Sequence, residues 1–132
     1  MIQWWGSRAA ADAAMAMAAQ SETAVTRIIE VGGEAVGYAQ AMDLADDVLP
    51  AGAWQADVFI GDEAARGKGY GAEALRLMRG EVFGATLASA LAVKVAIANE
   101  RQVREIEKAG FVWRGLVSDA SLGRCWLLVA ER

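Results

Sequence analysis

The chain has no histidine, one cysteine and one proline in 132 residues. Without histidine the commonest general base and metal ligand is gone, and triads built on an imidazole go with it. No metal is expected. The lone Cys125 permits no internal disulfide, so a reducing, cytoplasmic compartment is the default. Long apolar runs are lacking as well. The longest uncharged one, Val82 to Val93, is too short to cross a bilayer, so no membrane partner is expected. The start, Met1-Ile2-Gln3-Trp4-Trp5, has neither the basic region nor the apolar stretch of a secretory leader. Excess positive charge is missing too: the net charge is −4, which argues against a nucleic-acid partner.

What is present points to one globular domain over residues 1–132. An apolar fraction of 55% excludes a disordered chain, and the length allows a real core. Charge is unevenly spread. Residues 1–65 hold ten acids and two bases, a balance of −8, whereas residues 66–132 hold eleven bases and seven acids, a balance of +4. One reading is a bipolar molecule that takes an anionic ligand on its C-terminal part and a cationic one on its N-terminal part. The other is a solvated acidic surface that keeps the protein soluble.

The stretch around which the rest is organised is Arg66-Gly67-Lys68-Gly69-Tyr70-Gly71, followed by Ala72-Glu73-Ala74-Leu75. Glycines at alternate positions make a poor strand and a poor helix interior. At the mouth of a helix they let backbone N–H groups turn toward one point, which makes a cradle for an anion. The helix adds its unpaired N–H groups and the positive end of its dipole, and Arg66 and Lys68 add two charges. Adjacent phosphates suit such a site.

Around this stretch the pattern predicts a mixed sheet with helices on its faces. Ser7 caps an alanine-rich helix to about Gln20, and strands follow over Glu22–Val31 and Glu34–Met42, joined by a Gly32-Gly33 hairpin turn. A third strand, Trp54–Ile60, leads to the cradle and to a helix from Gly69 to about Gly84. Leu91–Ile97 is apolar apart from Lys94, as a buried central strand is. Asn99 and Gln102 form a capping box for a helix that ends at Lys108-Ala109-Gly110. Phe111–Val117 and Leu122–Ala130 close the chain as an antiparallel pair.

Two familiar phosphate loops fail on spacing. A nucleotide P-loop needs four residues between its first Gly and Gly-Lys, then Ser or Thr, and here Tyr70 follows Gly67-Lys68-Gly69. A dinucleotide fingerprint sits directly on a strand end and is answered by an acid about twenty residues on. Here five residues separate Ile60 from the loop, and the next strand ends in Ala96-Ile97-Ala98.

Arg66-Gly67-Lys68-Gly69-Tyr70-Gly71 instead resembles the acyl-CoA pyrophosphate loop of the GNAT N-acetyltransferases, written Q/R-x-x-G-x-G/A. The segment from Asn99 through Glu107-Lys108-Ala109-Gly110-Phe111 resembles that family's second signature, Asn-x-x-(helix)-Glu-Lys-x-Gly-Phe. Both occur in the family's order. Trp4-Trp5-Gly6, Gly33 to Gln40 and Asp57-Val58-Phe59-Ile60-Gly61 resemble its aminoglycoside 6′-N-acetyltransferase and siderophore acyltransferase branch.

The resemblance implies an α/β fold that lacks the usual first strand and helices. It implies acetyl-CoA as co-substrate, bound in a notch between the strands Trp54–Ile60 and Leu91–Ile97. Phe59 and Ile60 would pair with the pantetheine amides, Arg66, Gly67, Lys68, Gly69, Tyr70 and Gly71 would hold the pyrophosphate, and Asn99 would touch the pantetheine arm. Asp57 would be the catalytic base or hold a small cationic amine, with Trp5 and Trp54 lining the acceptor side. An alternative use of those tryptophans is core packing. Two positions depart from the family pattern: Ile106 stands where a tyrosine is usual, and Lys94-Val95 where the branch has Asp-Pro. A shortened front end implies an open sheet edge, and with it a homodimer. The function implied is N-acetyl transfer to a small amine, aminoglycoside-like or polyamine-like. Alternatives are a non-catalytic acyl-CoA-binding or dimerisation module, and siderophore-type N-acylation.

Overall fold

The computed structural model describes residues 3–5, 24–43, 48–61 and 65–132. The expected helix over 7–20 lies outside them, as do Asp46, Asp47, Asp62 and Glu63 of the acidic stretch. Among the described residues seven strands form one sheet: β1 (Gln3–Trp5), β2 (Ala24–Val31), β3 (Glu34–Met42), β4 (Ala53–Ile60), β5 (Ala90–Ala96), β6 (Val112–Asp119) and β7 (Gly123–Glu131). Two helices, α1 (Tyr70–Ala85) and α2 (Glu100–Lys108), make the crossovers after β4 and β5. The strand order is β1-β2-β3-β4-β5-β7-β6. Only β4 and β5 run parallel; every other neighbouring pair is antiparallel.

Local chemistry accounts for these elements. Gly32 and Gly33 have φ of 59° and 86°, the left-handed pair that a two-residue hairpin requires. α1 turns Leu75, Met78 and Val82 toward the sheet, and each is 3% exposed or less. Burial of each such side chain contributes about 1.5–3 kcal/mol. Asn99 caps α2, its side chain accepting from the Gln102 N–H at 3.2 Å. β5 is buried along almost its whole length, because helices cover one face and Leu127 and Val129 of β7 help to fill the other.

One finding differs from the sequence expectation. Gln3–Trp5 pairs with β2, so the edge expected to be open beyond β2 carries a short strand. The last two strands form the expected antiparallel pair, with β7 between β5 and β6.

One close approach holds β3 and β4 in place. A Cβ at Gly37 would stand 2.0 Å from the Phe59 carbonyl oxygen, a backbone atom that cannot swing aside. Gly37→Ala is therefore expected to lower stability by about 2–3 kcal/mol. Urea unfolding reads this as a lower midpoint at unchanged slope. An unmoved midpoint would show that the two strands separate freely.

Candidate active site

β4 and β5 pair only from Ala53↔Ala90 to Gln55↔Ala92. Beyond that they part, although β4 runs on to Ile60 and β5 to Ala96. From Asp57 to Ile60, β4 keeps β3 on one side and, among the described residues, has no strand partner on the other. That unpaired edge can accept an extended, amide-bearing ligand as an added strand.

On the helix side, the opening leads into a cavity of about 350 Å³. Its walls include Phe59 and Ile60 from β4, Arg66, Gly67, Tyr70 and Gly71 from the glycine loop, and Asn99 from the start of α2. The structure therefore brings together most of the residues expected to bind the carrier. Lys68 and Gly69 are exposed on the same loop but form no part of the cavity wall.

The loop has the conformation that its glycines predict. Gly67 and Gly69 have φ of 76° and 82°, and Gly69 is the N-cap of α1 with no side chain bonded to the helix end. A Cβ on Gly69 would meet nothing within 4 Å among the described residues, which leave the turn open. The first-turn N–H groups of α1 and its positive dipole end thus face a space that a phosphate can enter.

Several side chains use their groups differently from expectation. Arg66 donates its Nε–H to the Ile60 carbonyl at 3.0 Å, which ties the loop to the end of β4. That bond takes one of the two lone pairs of the carbonyl. The Asn99 amide donates to Gln102 Oε1 at 3.0 Å, so Asn99 both caps α2 and borders the cavity. Arg101, which the sequence reading missed, brings a third cation: its guanidinium lies 3.7 Å from where a Cβ on Gly67 would stand. Glu105 also lines the cavity, the end of its flexible side chain (Oε2) 2.8 Å from where a Cβ on Gly71 would stand. Ile106, at the place of the family tyrosine, is 1% exposed and packs in the core.

Asp57 lies on the opposite face of the sheet, next in the chain to the cavity residue Val58. It stands opposite Gln40 of β3 and is open to solvent. Its carboxyl is nonetheless pushed above the ordinary range, first by lost hydration and then by the negative charge of Asp119, with Lys94 opposing. Lys94 is buried and reaches Asp119 Oδ1 at 2.7 Å. Asp119 is pulled down to about 2 by that bond and by the N–H groups of Leu122 and Ser121. Phe59, half exposed, packs its ring on Tyr38 with centroids 5.6 Å apart.

The tryptophans need a correction. Trp54 was expected beside the acceptor, but it is 6% exposed in the core beneath α1, on the other face from Asp57. The backbone of Trp5 is in β1, and its side chain is outside the described residues. Among the described residues no cluster of His, Cys, Asp and Glu suits a metal, and no helix is long and apolar enough to cross a membrane.

A family model described as an acetyltransferase (GNAT) domain matches residues 1–118. A search of curated proteins returned no match. Among solved structures, the aminoglycoside acetyltransferase AAC(6')-Ib with ribostamycin and coenzyme A superposes with a TM-score of 0.75 at 24% identity, covering 98% of this chain and 79% of that one. The microcin C7 self-immunity acetyltransferase MccE with acetyl-CoA and AMP gives a TM-score of 0.74 at 14% identity, covering 91% and 69%. RimJ of Mycobacterium smegmatis with CoA-disulfide gives 0.74 at 17% identity, covering 90% and 59%.

Proposed function

The chain belongs to the GNAT acetyltransferase family, and from that premise we propose that it moves an acetyl group from acetyl-CoA to the primary amine of a small cationic acceptor. The observation that carries this reading is the open glycine cradle set beside the unpaired edge of β4. One holds a diphosphate and the other an amide-bearing arm, and acyl-CoA carries both in that order. The neighbouring AAC(6')-Ib structures, one with kanamycin and one with ribostamycin, support an amine-bearing acceptor in a fold of this shape.

The chemistry follows from the two faces of the opening. The acceptor ammonium gives a proton to Asp57, directly or through water, and the free amine attacks the thioester carbonyl. A C–N bond forms, the attacking nitrogen gives up its second proton to solvent, the C–S bond breaks, and the electron pair leaves on sulfur. Because thiols ionise near pH 8.5, the CoA thiolate departs and takes a proton from solvent without the family tyrosine. Placement of the two substrates supplies most of the acceleration. A homodimer in the cytoplasm remains part of this proposal.

The test follows thiol release from acetyl-CoA across a panel of monoamines, polyamines and aminoglycosides. Release that needs both the protein and an amine is expected. CoA binding without release from any amine would favour the second reading, a non-catalytic acyl-CoA module, which the core packing of Ile106 suggests. Release only with hydroxylated lysine or ornithine side chains would point to siderophore-type acylation.

A further inference from the structure

We propose that Asp119, clamped by Lys94, is a positioning residue that tunes Asp57 as a base. The consequence for turnover rests on the function proposed above, whereas the geometry stands without it.

The strand register carries the argument. Pairing of β4 with β5 stops at Gln55↔Ala92. Asp57 and Lys94 each lie two residues beyond that last pair, so their side chains fall on the same face of the sheet, one on each of the strands that border the opening. Lys94 turns away toward β6, where its Nζ meets Asp119 Oδ1 at 2.7 Å with only 4% of the lysine side chain exposed. The other oxygen, Asp119 Oδ2, accepts from the N–H groups of Ser121 and Leu122 at 2.9 and 3.0 Å. Both carboxylate oxygens are therefore held, one by the interior of the sheet and one by the turn that closes the β6–β7 hairpin.

A carboxylate with three donors stays ionised throughout the working range of an enzyme. Among the described residues, its charge and that of Lys94 are the two that act on Asp57. β3 presents the uncharged Gln40 opposite Asp57, and β7 presents Cys125, whose buried thiol is pushed up and stays neutral. The two charges pull in opposite directions. Asp119 disfavours a second negative charge and makes Asp57 more basic, and Lys94 does the reverse. Two acids whose surroundings drive them apart are how one site keeps a fixed charge beside a working base. The branch's Asp-Pro position, occupied here by Lys94, is thereby part of the tuning.

The experiment titrates the Asp57 carboxyl by ¹³C NMR in the unaltered chain, in Lys94→Met and in Asp119→Asn, and follows the acid limb of kcat/KM in parallel. Asp119→Asn removes the opposing charge and leaves Lys94 acting alone, so the midpoint is expected to fall by about one pH unit. Lys94→Met should raise it by a similar amount, since Asp119 then acts unopposed. The double variant should fall between the two, and it keeps the comparison open if either single variant does not fold. Opposite shifts in the NMR titration support the inference even if no amine is acetylated, in which case the catalytic reading alone falls. Midpoints unmoved, or moved the same way in both variants, overturn it while leaving any observed acetyl transfer intact.

Discussion

Asp57→Asn is expected to lower kcat/KM for the amine about 10²–10⁴-fold, the range that a positioned general base supplies. CoA affinity should not change, because Asp57 is on the opposite face from the cavity and forms no part of its wall. The substitution keeps the size and polarity of the side chain and removes only its ability to take a proton or carry charge. The acid limb of the unaltered enzyme should lie above the ordinary carboxylate range, since lost hydration and Asp119 both raise Asp57. Activity then fails as pH falls through that raised value, where Asp57 becomes protonated. Steady-state kinetics over pH, with CoA binding measured separately, read both effects. An unaltered kcat/KM in Asp57→Asn would remove Asp57 from the chemistry.

The second large effect is expected at the cradle. Valine at Gly67 or Gly69 must take a φ of 76° or 82°, a conformation that costs a branched residue about 1–3 kcal/mol. Its side chain would also stand where the phosphate enters. A charge-assisted hydrogen bond to a backbone N–H contributes about 1.5–3 kcal/mol, so loss of one or two weakens CoA binding about a hundredfold. Gly80→Ala is the control. Gly80 sits exposed in α1 with nothing near its Cβ position, and alanine there should stabilise the helix by up to about 1 kcal/mol without touching CoA affinity. Calorimetric titration separates the two cases. Equal weakening in all three variants would mean that the loop is not the binding element.

Much of this architecture was legible in the sequence because it is written locally. The Gly32-Gly33 turn, the Asn99–Gln102 cap and the apolar spacing of Leu75, Met78 and Val82 each act over a few residues, and each element formed where it was expected. The strand order needed more. Leu127-Leu128-Val129-Ala130 is an unbroken apolar run, the mark of a strand covered on both faces, whereas β6 shows Val112, Trp113 and Leu116 to solvent. Comparison of the two runs would have put β7 inside. Trp54 was misplaced for a simpler reason. It is three residues from Asp57, an odd number, and side chains alternate along a strand, so the two cannot share a face.

Other features had no local signal. Arg101 stands out only as part of a capping segment, and its place beside Gly67 depends on how α2 meets the loop. Lys94 is conspicuous as the one charge in a buried strand, but its partner Asp119 is 25 residues away. The bulge between Ile29 and Glu30 is equally silent, since it follows from how β2 and β3 meet and not from any turn residue.

The central claim is that backbone amides of the Gly67–Gly71 turn hold the diphosphate of a thioester carrier. ³¹P NMR of CoA titrated with the unaltered chain observes that contact itself. The account predicts one CoA per chain, with both diphosphate resonances shifted at saturation and the shift lost in Gly69→Val. Diphosphate resonances that stay at their free positions while CoA binds would contradict it.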